Sequence, residues 1–375
     1  MGFLLTFLAV YGLANLYIGT RFFYWLRTVV YIPPIWYWVI FILVAIAPIF
    51  ARILARAGIA KTENLFIIGD WWLAITYLSV LLWIMVDITK GADKRLNFLP
   101  AIAKDMTNQG YLVLFILLGM LAYGAWNALN PVITRYELSI NKKAEGIEHL
   151  KVVLVSDIHM GRVVGSDRVE RLAKSLRELK PDIILYAGDQ IDDDAAYVAN
   201  NKIAEPLQAV KVRFGSYAVL GNHEYISGQP ALAVSLLENN GITVLQDQWA
   251  MIGDAIYIVG RDDLAASRYA GRGTGTLANI MKDIDKKKTI IVIDHQPSRI
   301  NEAVQQGVDL QVSGHTHKGQ FFPNNLITQR IYEQDWGYLK KEAYQLIVSC
   351  GYGTWGPPIR IGNQPEIVEI NIKFE

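Results

Sequence analysis

The hydrophobic and polar positions divide the chain into two parts with different patterns. Before residue 130, long apolar runs are separated by short polar segments, whereas from about residue 137 short β-branched runs alternate with amphipathic stretches. A helix needs about 20 apolar residues to cross a bilayer core, and about 17 at the least. The pattern therefore predicts a four-helix transmembrane region over residues 1–130, a linker over 131–150 and an α/β domain over 151–375.

The four apolar runs cover residues 2–18, 35–51, 65–86 and 111–129, and the first two are near the lower length limit. A signal peptide is a poor interpretation of the first run because no Lys or Arg precedes it. Lys and Arg are equally numerous in the two sets of alternate loops, so their number does not decide the orientation. Arg21 and Arg27, which follow the first run, favour an external N-terminus. We therefore predict an integral, multi-pass protein of the cytoplasmic membrane whose C-terminal domain is extracytoplasmic.

In the second part of the chain, the polar motifs follow predicted strands. Five runs are predicted to be buried strands: Lys151–Ser156, Asp182–Ala187, Ser216–Leu220, Thr289–Ile293 and Asp309–Ser313. Apolar residues at helical spacing predict a helix over Ser166–Lys180. Three further runs suggest a second, partly antiparallel sheet: Trp249–Val259, Tyr344–Ser349 and Glu366–Lys373. Because α/β sheets gather their ligands at the carboxyl ends of strands, we expect the polar motifs to converge there.

Histidine is scarce in this chain, and its distribution indicates a metal site. The chain has six histidines, and five of them stand within two positions of Asp, Asn or Gly in the loops that follow predicted strands. The net charge of +1 does not suggest general affinity for nucleic acid. Cys350 is the one cysteine, so an intrachain disulfide is excluded. Imidazole and carboxylate together are ligands typical of Zn, Mn or Fe rather than Ca.

Five motifs, four of which contain histidine, follow one another along the chain. They are Asp157-Ile158-His159, Gly188-Asp189-Gln190-Ile191-Asp192, Gly221-Asn222-His223-Glu224, Asp294-His295 and Gly314-His315-Thr316-His317, of which the second contains carboxylates only. As a set they resemble the five motifs of the calcineurin-like metallophosphoesterase superfamily, and the resemblance covers about residues 150–375. It implies a four-layer αββα sandwich of two mixed sheets.

The resemblance also implies a role for each motif residue. The first metal ion would be bound by Asp157, His159 and His317, the second by Asn222, His295 and His315, and Asp189 would bridge them. His223 would contact the scissile phosphate beside Asn222 and act as the acid for the leaving oxygen. Asp192 corresponds to the carboxylate that orients this histidine in protein phosphatases.

One departure from the protein phosphatase pattern bears on the class of substrate that we expect. Those enzymes carry an arginine directly after the orienting carboxylate, where this chain has Asp193. That difference argues against a Ser/Thr protein phosphatase. Another residue would then have to bind the phosphate oxygens, and Arg162 is the candidate. The tail at residues 349–360 resembles the membrane-associated bacterial branch of the superfamily, which includes phosphodiesterases related to UDP-2,3-diacylglucosamine pyrophosphatases.

We therefore expect a membrane-anchored phosphoesterase with two transition-metal ions, divalent or trivalent Mn, Fe or Zn. It would hydrolyse a phosphodiester or pyrophosphate bond of a lipid-linked substrate by attack of a metal-bridging hydroxide. The expected partners are this phosphate ester and the lipid bilayer, without nucleic acid. The alternatives are a soluble-ester hydrolase that is merely tethered, an inactive metal-binding sensor, and a transport or signalling helix bundle gated by the esterase domain.

Overall fold

The computed structural model describes residues 2–56 and 62–375, with side chains from residue 5 onward in the first helix. The chain divides into two compact units. One comprises residues 1–126 and 356–359, and the other comprises residues 127–355 and 360–375.

The first unit is helical, as its apolar pattern predicts. The helices of this part of the chain are α1 (Gly2–Val29), α2 (Pro34–Arg56), α3 (Glu63–Leu96), α4 (Ala101–Lys104) and α5 (Met106–Ala128). Three segments in the described part of the chain are long and apolar enough to cross a membrane: Pro34–Ala55, Glu63–Leu96 and Met106–Ala128. The predicted count of four crossings is therefore approximate. Helix α1 has 28 residues, and the side chains of its first three residues lie outside the described part of the chain, to which the count of three refers.

The second unit contains the strands. They are β1 (Val132–Ile140), β2 (His149–Val155), β3 (Ile183–Ala187), β4 (Ser216–Val219), β5 (Ile242–Val244), β6 (Gln248–Ile252), β7 (Ile256–Gly260), β8 (Thr289–Ile293), β9 (Leu310–Ser313), β10 (Gly337–Lys341), β11 (Tyr344–Val348) and β12 (Glu366–Phe374). Its helices are α6 (Ser166–Leu179), α7 (Ala195–Asn200), α8 (Asn222–Ile226), α9 (Pro230–Asn239), α10 (Ala265–Tyr269), α11 (Leu277–Ile280), α12 (Ile300–Gln306) and α13 (Asn325–Ile331). Two short 3₁₀ helices cover Glu205–Ala209 and His317–Gly319.

The strands form two six-stranded mixed sheets. The first has the order β1-β12-β2-β3-β4-β5, and the second has the order β10-β11-β9-β8-β7-β6. In the first sheet β2, β3, β4 and β5 are parallel neighbours, and β12 is antiparallel to β2. In the second sheet β11, β9, β8 and β7 are parallel, with antiparallel β10 and β6 at the two edges.

Three apolar layers hold the sheets and helices together. The layer between the sheets includes Leu154 from the first sheet and Val312 from the second. A second layer packs α6 on the outer face of the first sheet through residues such as Leu172, and a third packs α12 on the outer face of the second sheet through Ile300. Because both sheets are covered on both faces, their central strands are continuously apolar. The predicted αββα sandwich is confirmed.

The structure differs from the sequence prediction in the pairing of three segments. The single strand predicted at Trp249–Val259 is the hairpin β6–β7, because Gly253 and Asp254 turn with φ of 55° and 51°. The strand predicted at Glu366–Lys373 lies in the first sheet and not in the second. Residues 132–140 of the predicted linker form edge strand β1, parallel to β12. Strand β1 alternates exposed side chains with partly or fully buried ones, so it lacks the apolar run of a central strand.

Candidate metal centre

The carboxyl ends of five strands place the five motif loops together. In the first sheet β2 leads to Asp157, β3 to Asp189 and β4 to Asn222. In the second sheet β8 leads to His295 and β9 to His315. Since these strands run parallel within each sheet, their carboxyl ends meet at one edge, where ligands of α/β proteins collect.

The backbone is left-handed at five of the seven predicted ligands. The φ angles are 52° at Asp157, His159 and Asp189, 72° at His315 and 47° at His317. A left-handed conformation costs a non-glycine residue about 1–2 kcal/mol. Such conformations persist where the surrounding structure enforces them, and they are concentrated at functional sites.

The first group of possible ligands comprises Asp157, His159 and His317. Its ligand atoms all lie within 4.8 Å of one another, and all three residues are buried. The Nε2 atom of His317 is 3.2 Å from Oδ1 of Asp157 and 3.0 Å from Nε2 of His159. Two imidazole nitrogens and one carboxylate oxygen at this spacing are a donor set for one cation.

The second group comprises Asp189, His295 and His315, whose ligand atoms also lie within 4.8 Å of one another. Nε2 of His295 is 3.2 Å from Oδ2 of Asp189, 3.3 Å from Nδ1 of His315 and 3.3 Å from Oδ1 of Asn222. The other ring nitrogen of His295 is 2.7 Å from the carbonyl oxygen of Ala187. When Nδ1–H donates to that carbonyl, Nε2 presents its lone pair to the cluster, as a metal ligand requires.

Asp189 lies between the two groups. Its Oδ2 atom is 3.2 Å from Nε2 of His295 in the second group and 4.0 Å from Nε2 of His159 in the first. The structure thus brings the side chains of all seven predicted ligands together at this edge of the two sheets.

The chemistry of the cluster fits two bound cations. Asp157 and Asp189 are 0% and 2% exposed, and buried carboxylates are costly unless positive charge compensates them. Burial raises the pKa of Asp189, but in the metal-free cluster the charges of protonated His295 and His223 outweigh it and hold that pKa well below its usual range. A cation bound there would take the place of the proton on His295. Burial lowers the pKa of His317 to about 4 despite Asp157, so this imidazole is neutral at pH 7, the form that binds a metal.

His223 and Asp192 form a third group beside the first. Nδ1 of His223 and Nδ1 of His159 each lie 3.2 Å from the same Oδ1 atom of Asp192. The backbone N–H of His223 donates to Oδ1 of Asp189 at 2.9 Å. Burial lowers the pKa of His223, but the charge of Asp189 and the hydrogen bond with Asp192 outweigh it and raise that pKa to about 10. One carboxylate oxygen therefore orients both a predicted ligand and the predicted acid.

Two motif glycines are required by close packing. A Cβ atom at Gly314 would lie 1.6 Å from Oγ of Ser156 and 2.3 Å from Oδ2 of Asp157. A Cβ atom at Gly221 would lie 2.2 Å from Oδ1 of Asp189. Side chains at these positions would displace the predicted ligands themselves.

Arg360 supports the first group, and the sequence motifs did not assign it a role. Its side chain is fully buried, with Nη2 3.1 Å from Nδ1 of His317. The same nitrogen donates to the carbonyl oxygens of Gly353 at 2.6 Å and Gly351 at 3.2 Å. The position of Arg360 in the glycine-rich tail was the sequence signal that could have identified it. Its contact with His317, 43 residues earlier, cannot be recognised from the local sequence.

Glu224 is a second supporting residue without a predicted role. It is fully buried and accepts hydrogen bonds from the backbone N–H of Ile191 at 2.9 Å and of Gly221 at 2.8 Å. Burial raises the pKa of Glu224 to about 7. This side chain therefore joins the loop after β3 to the loop after β4, and its position in the motif Gly-Asn-His-Glu was the sequence signal.

Arg162, the predicted phosphate clamp, has other partners. Its Nη2 atom lies 3.3 Å from Oδ2 of Asp194, and its guanidinium carbon is 4.2 Å from the centroid of the Tyr197 ring. It is not among the residues that line the cavity at the cluster. Phosphate clamping by Arg162 stays a prediction without support from this geometry.

The ligand cluster opens on a cavity of about 400 Å³. Asp189, Asn222 and His223 contribute polar lining, and Ile327 and Trp355 contribute apolar lining. The rings of His223 and Trp355 have centroids 6.5 Å apart. A phosphate ester placed against the cluster would therefore have both His223 and apolar surface beside it.

Comparisons with known proteins agree with these motifs. Residues 150–319 match the family model of calcineurin-like phosphoesterases. A "transmembrane protein with metallophosphoesterase domain" from Danio rerio is 33% identical over 285 residues, which cover 73% of this chain and 64% of that protein. An uncharacterized metallophosphoesterase from Campylobacter jejuni is 27% identical over 375 residues, covering 98% of this chain and 96% of that protein.

A further relative extends the match. An uncharacterized metallophosphoesterase from Aquifex aeolicus is 34% identical over 261 residues, which cover 69% of this chain and 97% of that protein. A crystal structure of a dimetal phosphatase from Danio rerio aligns with a TM-score of 0.37 and 12% identity, covering 54% of this chain and 88% of that one. On the evidence of its motifs and its sequence relatives, the chain belongs to the calcineurin-like metallophosphoesterase family, a family of metal-dependent phosphoester hydrolases.

Proposed function

We propose that this protein is a membrane-anchored phosphoesterase that hydrolyses a phosphodiester or pyrophosphate bond of a lipid-linked substrate. The observation that carries the proposal is the convergence of seven nitrogen and oxygen ligands, Asp189 among them, from five loops. The anchor is supported by the three apolar helices and by the relatives named transmembrane proteins.

In this proposal the two ligand groups hold two transition-metal ions. Asp157, His159 and His317 hold one ion, Asn222, His295 and His315 hold the other, and Asp189 is shared. Bound there, the ions would supply a water molecule of lowered pKa and neutralise charge on the phosphate oxygens.

His223 is the proposed acid for the leaving oxygen. It lines the cavity, and two contacts hold it in place: the ring with Asp192 and the backbone N–H with Asp189. Its raised pKa favours the protonated imidazole at neutral pH, so Nε2–H can donate to an oxygen that gains charge as the ester bond breaks. The amide of Asn222 lines the same cavity and would contact the phosphate beside it.

Two features support a lipid-linked substrate over a fully water-soluble one. The cavity has apolar lining from Ile327 and Trp355, and Trp355 is 47% exposed. The same chain also carries candidate membrane spans, which keep its substrate supply close to lipid. A tryptophan at the mouth of a polar site suits a molecule that is charged at one end and apolar at the other.

The side of the membrane that carries the catalytic domain depends on whether α1 crosses. We propose four crossings and an external N-terminus, which place the domain outside the cytoplasm. Cys350 is the one cysteine and is buried, so Lys287→Cys would add a single exposed thiol. Labelling of intact cells by a membrane-impermeant maleimide is the expected result, and labelling only after lysis would refute this orientation.

The reaction is tested with the purified full chain in detergent, supplied with Mn²⁺. Lipid phosphodiesters, lipid pyrophosphates, nucleotide diesters and bis(4-nitrophenyl) phosphate are compared as substrates. We expect the lipid esters to have the highest kcat/KM. Asp189→Asn, which keeps the size of the side chain but removes its charge, should abolish all hydrolysis.

A second variant isolates the acid. His223→Asn should lower kcat by about 10²–10⁴-fold for esters with an alkyl leaving group, which needs a proton. It should lower kcat much less for a 4-nitrophenyl leaving group, which departs as an anion. An equal loss for both would refute the acid role, and activity confined to water-soluble esters would favour a tethered hydrolase of soluble substrates.

A further inference from the structure

Helix α13, near the mouth of the metal cavity, turns its apolar side to solvent. Leu326, Ile327 and Ile331 are 47%, 56% and 66% exposed, and the preceding Phe322 is 53% exposed. Residues 326, 327, 330 and 331 share one face because side chains three and four positions apart lie on the same side of a helix. A surface helix of a globular protein normally buries its apolar face.

The polar face of α13 is the one turned toward the protein. The hydroxyl of Thr328 donates to Oδ2 of Asp335 at 2.6 Å, and Oδ1 of Asn325 is buried. The polarity of the helix is thus largely inverted with respect to water, although Gln329 and Arg330 are exposed as well. Such an arrangement is stable when the outward face meets an apolar partner.

The apolar face of α13 is continuous with the metal cavity. Ile327 belongs to both, and Asn324 and Thr328 line the cavity beside it. A molecule that places a phosphate against the metal ligands can therefore continue onto Ile327 and then onto Leu326 and Ile331. This continuity favours a part of the substrate as the occupant, and not a separate protein.

We propose that Phe322, Leu326, Ile327 and Ile331 form a platform that binds an acyl chain of the lipid whose phosphate ester enters the metal cavity. The inference rests on the proposed lipid substrate. It identifies the surface by which the protein would select that substrate. Arg330, on the same face of α13, is exposed and suits the anionic headgroup from which the chain extends. With seven residues at 1.5 Å rise, α13 offers a length of about 10 Å.

The length of the platform predicts a dependence on acyl chain length. Each methylene group that leaves water for an apolar surface changes an equilibrium by about fourfold when fully buried, and by less on an open surface. The ratio kcat/KM should therefore rise with each added methylene while the chain still covers α13. It should level off once the chain extends beyond the platform.

The test uses the full chain in detergent with Mn²⁺ and a series of lipid phosphoesters that share one headgroup and differ in acyl length. The test variant is the double substitution Leu326→Ser with Ile331→Ser. Leu232→Ser in α9 is the matched control, because Leu232 is also an exposed leucine, 39% exposed, but does not line the metal cavity.

We expect the ratio of kcat/KM for the longest to the shortest ester to fall at least tenfold in the double variant and to stay at the wild-type value in the control. The single variant Ile331→Ser repeats the test if the double variant unfolds, as judged by its melting temperature. An unchanged ratio in a folded variant would overturn the platform while the lipid function stands. Absence of lipid hydrolysis by the wild-type protein, with soluble esters still cleaved, would overturn both.

Discussion

The shared carboxylate of Asp192 makes a sharp prediction for the substitution Asp192→Asn. One oxygen, Oδ1, lies 3.2 Å from Nδ1 of His159 and 3.2 Å from Nδ1 of His223. Burial raises the pKa of Asp192, but the hydrogen bonds with the two histidines outweigh it and hold that pKa well below its usual range. The variant keeps the size of the side chain but replaces the charged acceptor by a neutral amide.

The magnitude follows from the two hydrogen bonds. A hydrogen bond to a charged group contributes about 1.5–3 kcal/mol, roughly twice the contribution of a neutral pair. Loss of the charge should therefore cost about 1–2 kcal/mol at His159, or about 5–30-fold in equilibrium terms. That range overlaps the 10–100-fold loss of metal affinity that is usual when the partner of a metal-ligating histidine is replaced. His223 loses the same support, so kcat should fall even when metal is saturating.

The assay is calorimetric titration of the metal-free protein with Mn²⁺, followed by hydrolysis at saturating Mn²⁺. Asp309→Asn is the matched control, because Asp309 is a buried carboxylate at the opposite end of β9 that pairs with Lys142 at 2.7 Å. The control should lose stability but bind Mn²⁺ as the wild-type protein does. Wild-type Mn²⁺ affinity in Asp192→Asn would refute the role of Asp192 in holding His159.

Three further predictions concern other parts of the centre. Gly314→Ala should abolish metal binding, measured as metal content after purification, because the new Cβ would lie 1.6 Å from Oγ of Ser156. Arg360→Lys should reduce the free energy of unfolding in urea by about 1–3 kcal/mol, because buried carbonyl oxygens lose donors, whereas wild-type stability would contradict this. The metal-free protein should lose stability as pH rises from 6.5 toward 10, because folded His223, with its pKa raised to about 10, retains a proton that the unfolded chain releases. The substitution His223→Asn should reduce the slope of this urea-unfolding profile, of which His295, whose pKa is also raised, keeps a part.

Local sequence was sufficient for the elements that carry the centre. The apolar runs before Asp157, Asp189 and His295 predict β2, β3 and β8 to within two residues at each end. Central strands covered on both faces must be apolar throughout, so their limits are visible in the sequence. The choice of ligand types is also local, because each motif combines its donors with the glycines that allow close approach.

Edge strands and sheet membership were not predictable in the same way. Strand β1 alternates in burial, so its sequence predicts a linker, and the position of β12 beside the other late runs predicts the second sheet, whereas both strands belong to the first sheet. Strand β12 pairs with β2 more than 200 residues earlier, and this pairing depends on contacts that no local pattern records.

Only the tertiary structure decided which side chains contact one another in the metal centre and which stay exposed. The sequence determined that five loops carry nitrogen and oxygen ligands and that strands precede them. Only the packed sheets place Asp192 between His159 and His223, bring Arg360 to His317, and leave the apolar face of α13 exposed. The physical reason is that hydrophobic periodicity acts over a few residues, whereas the distances and charges of the centre depend on residues that folding brings together from far along the chain.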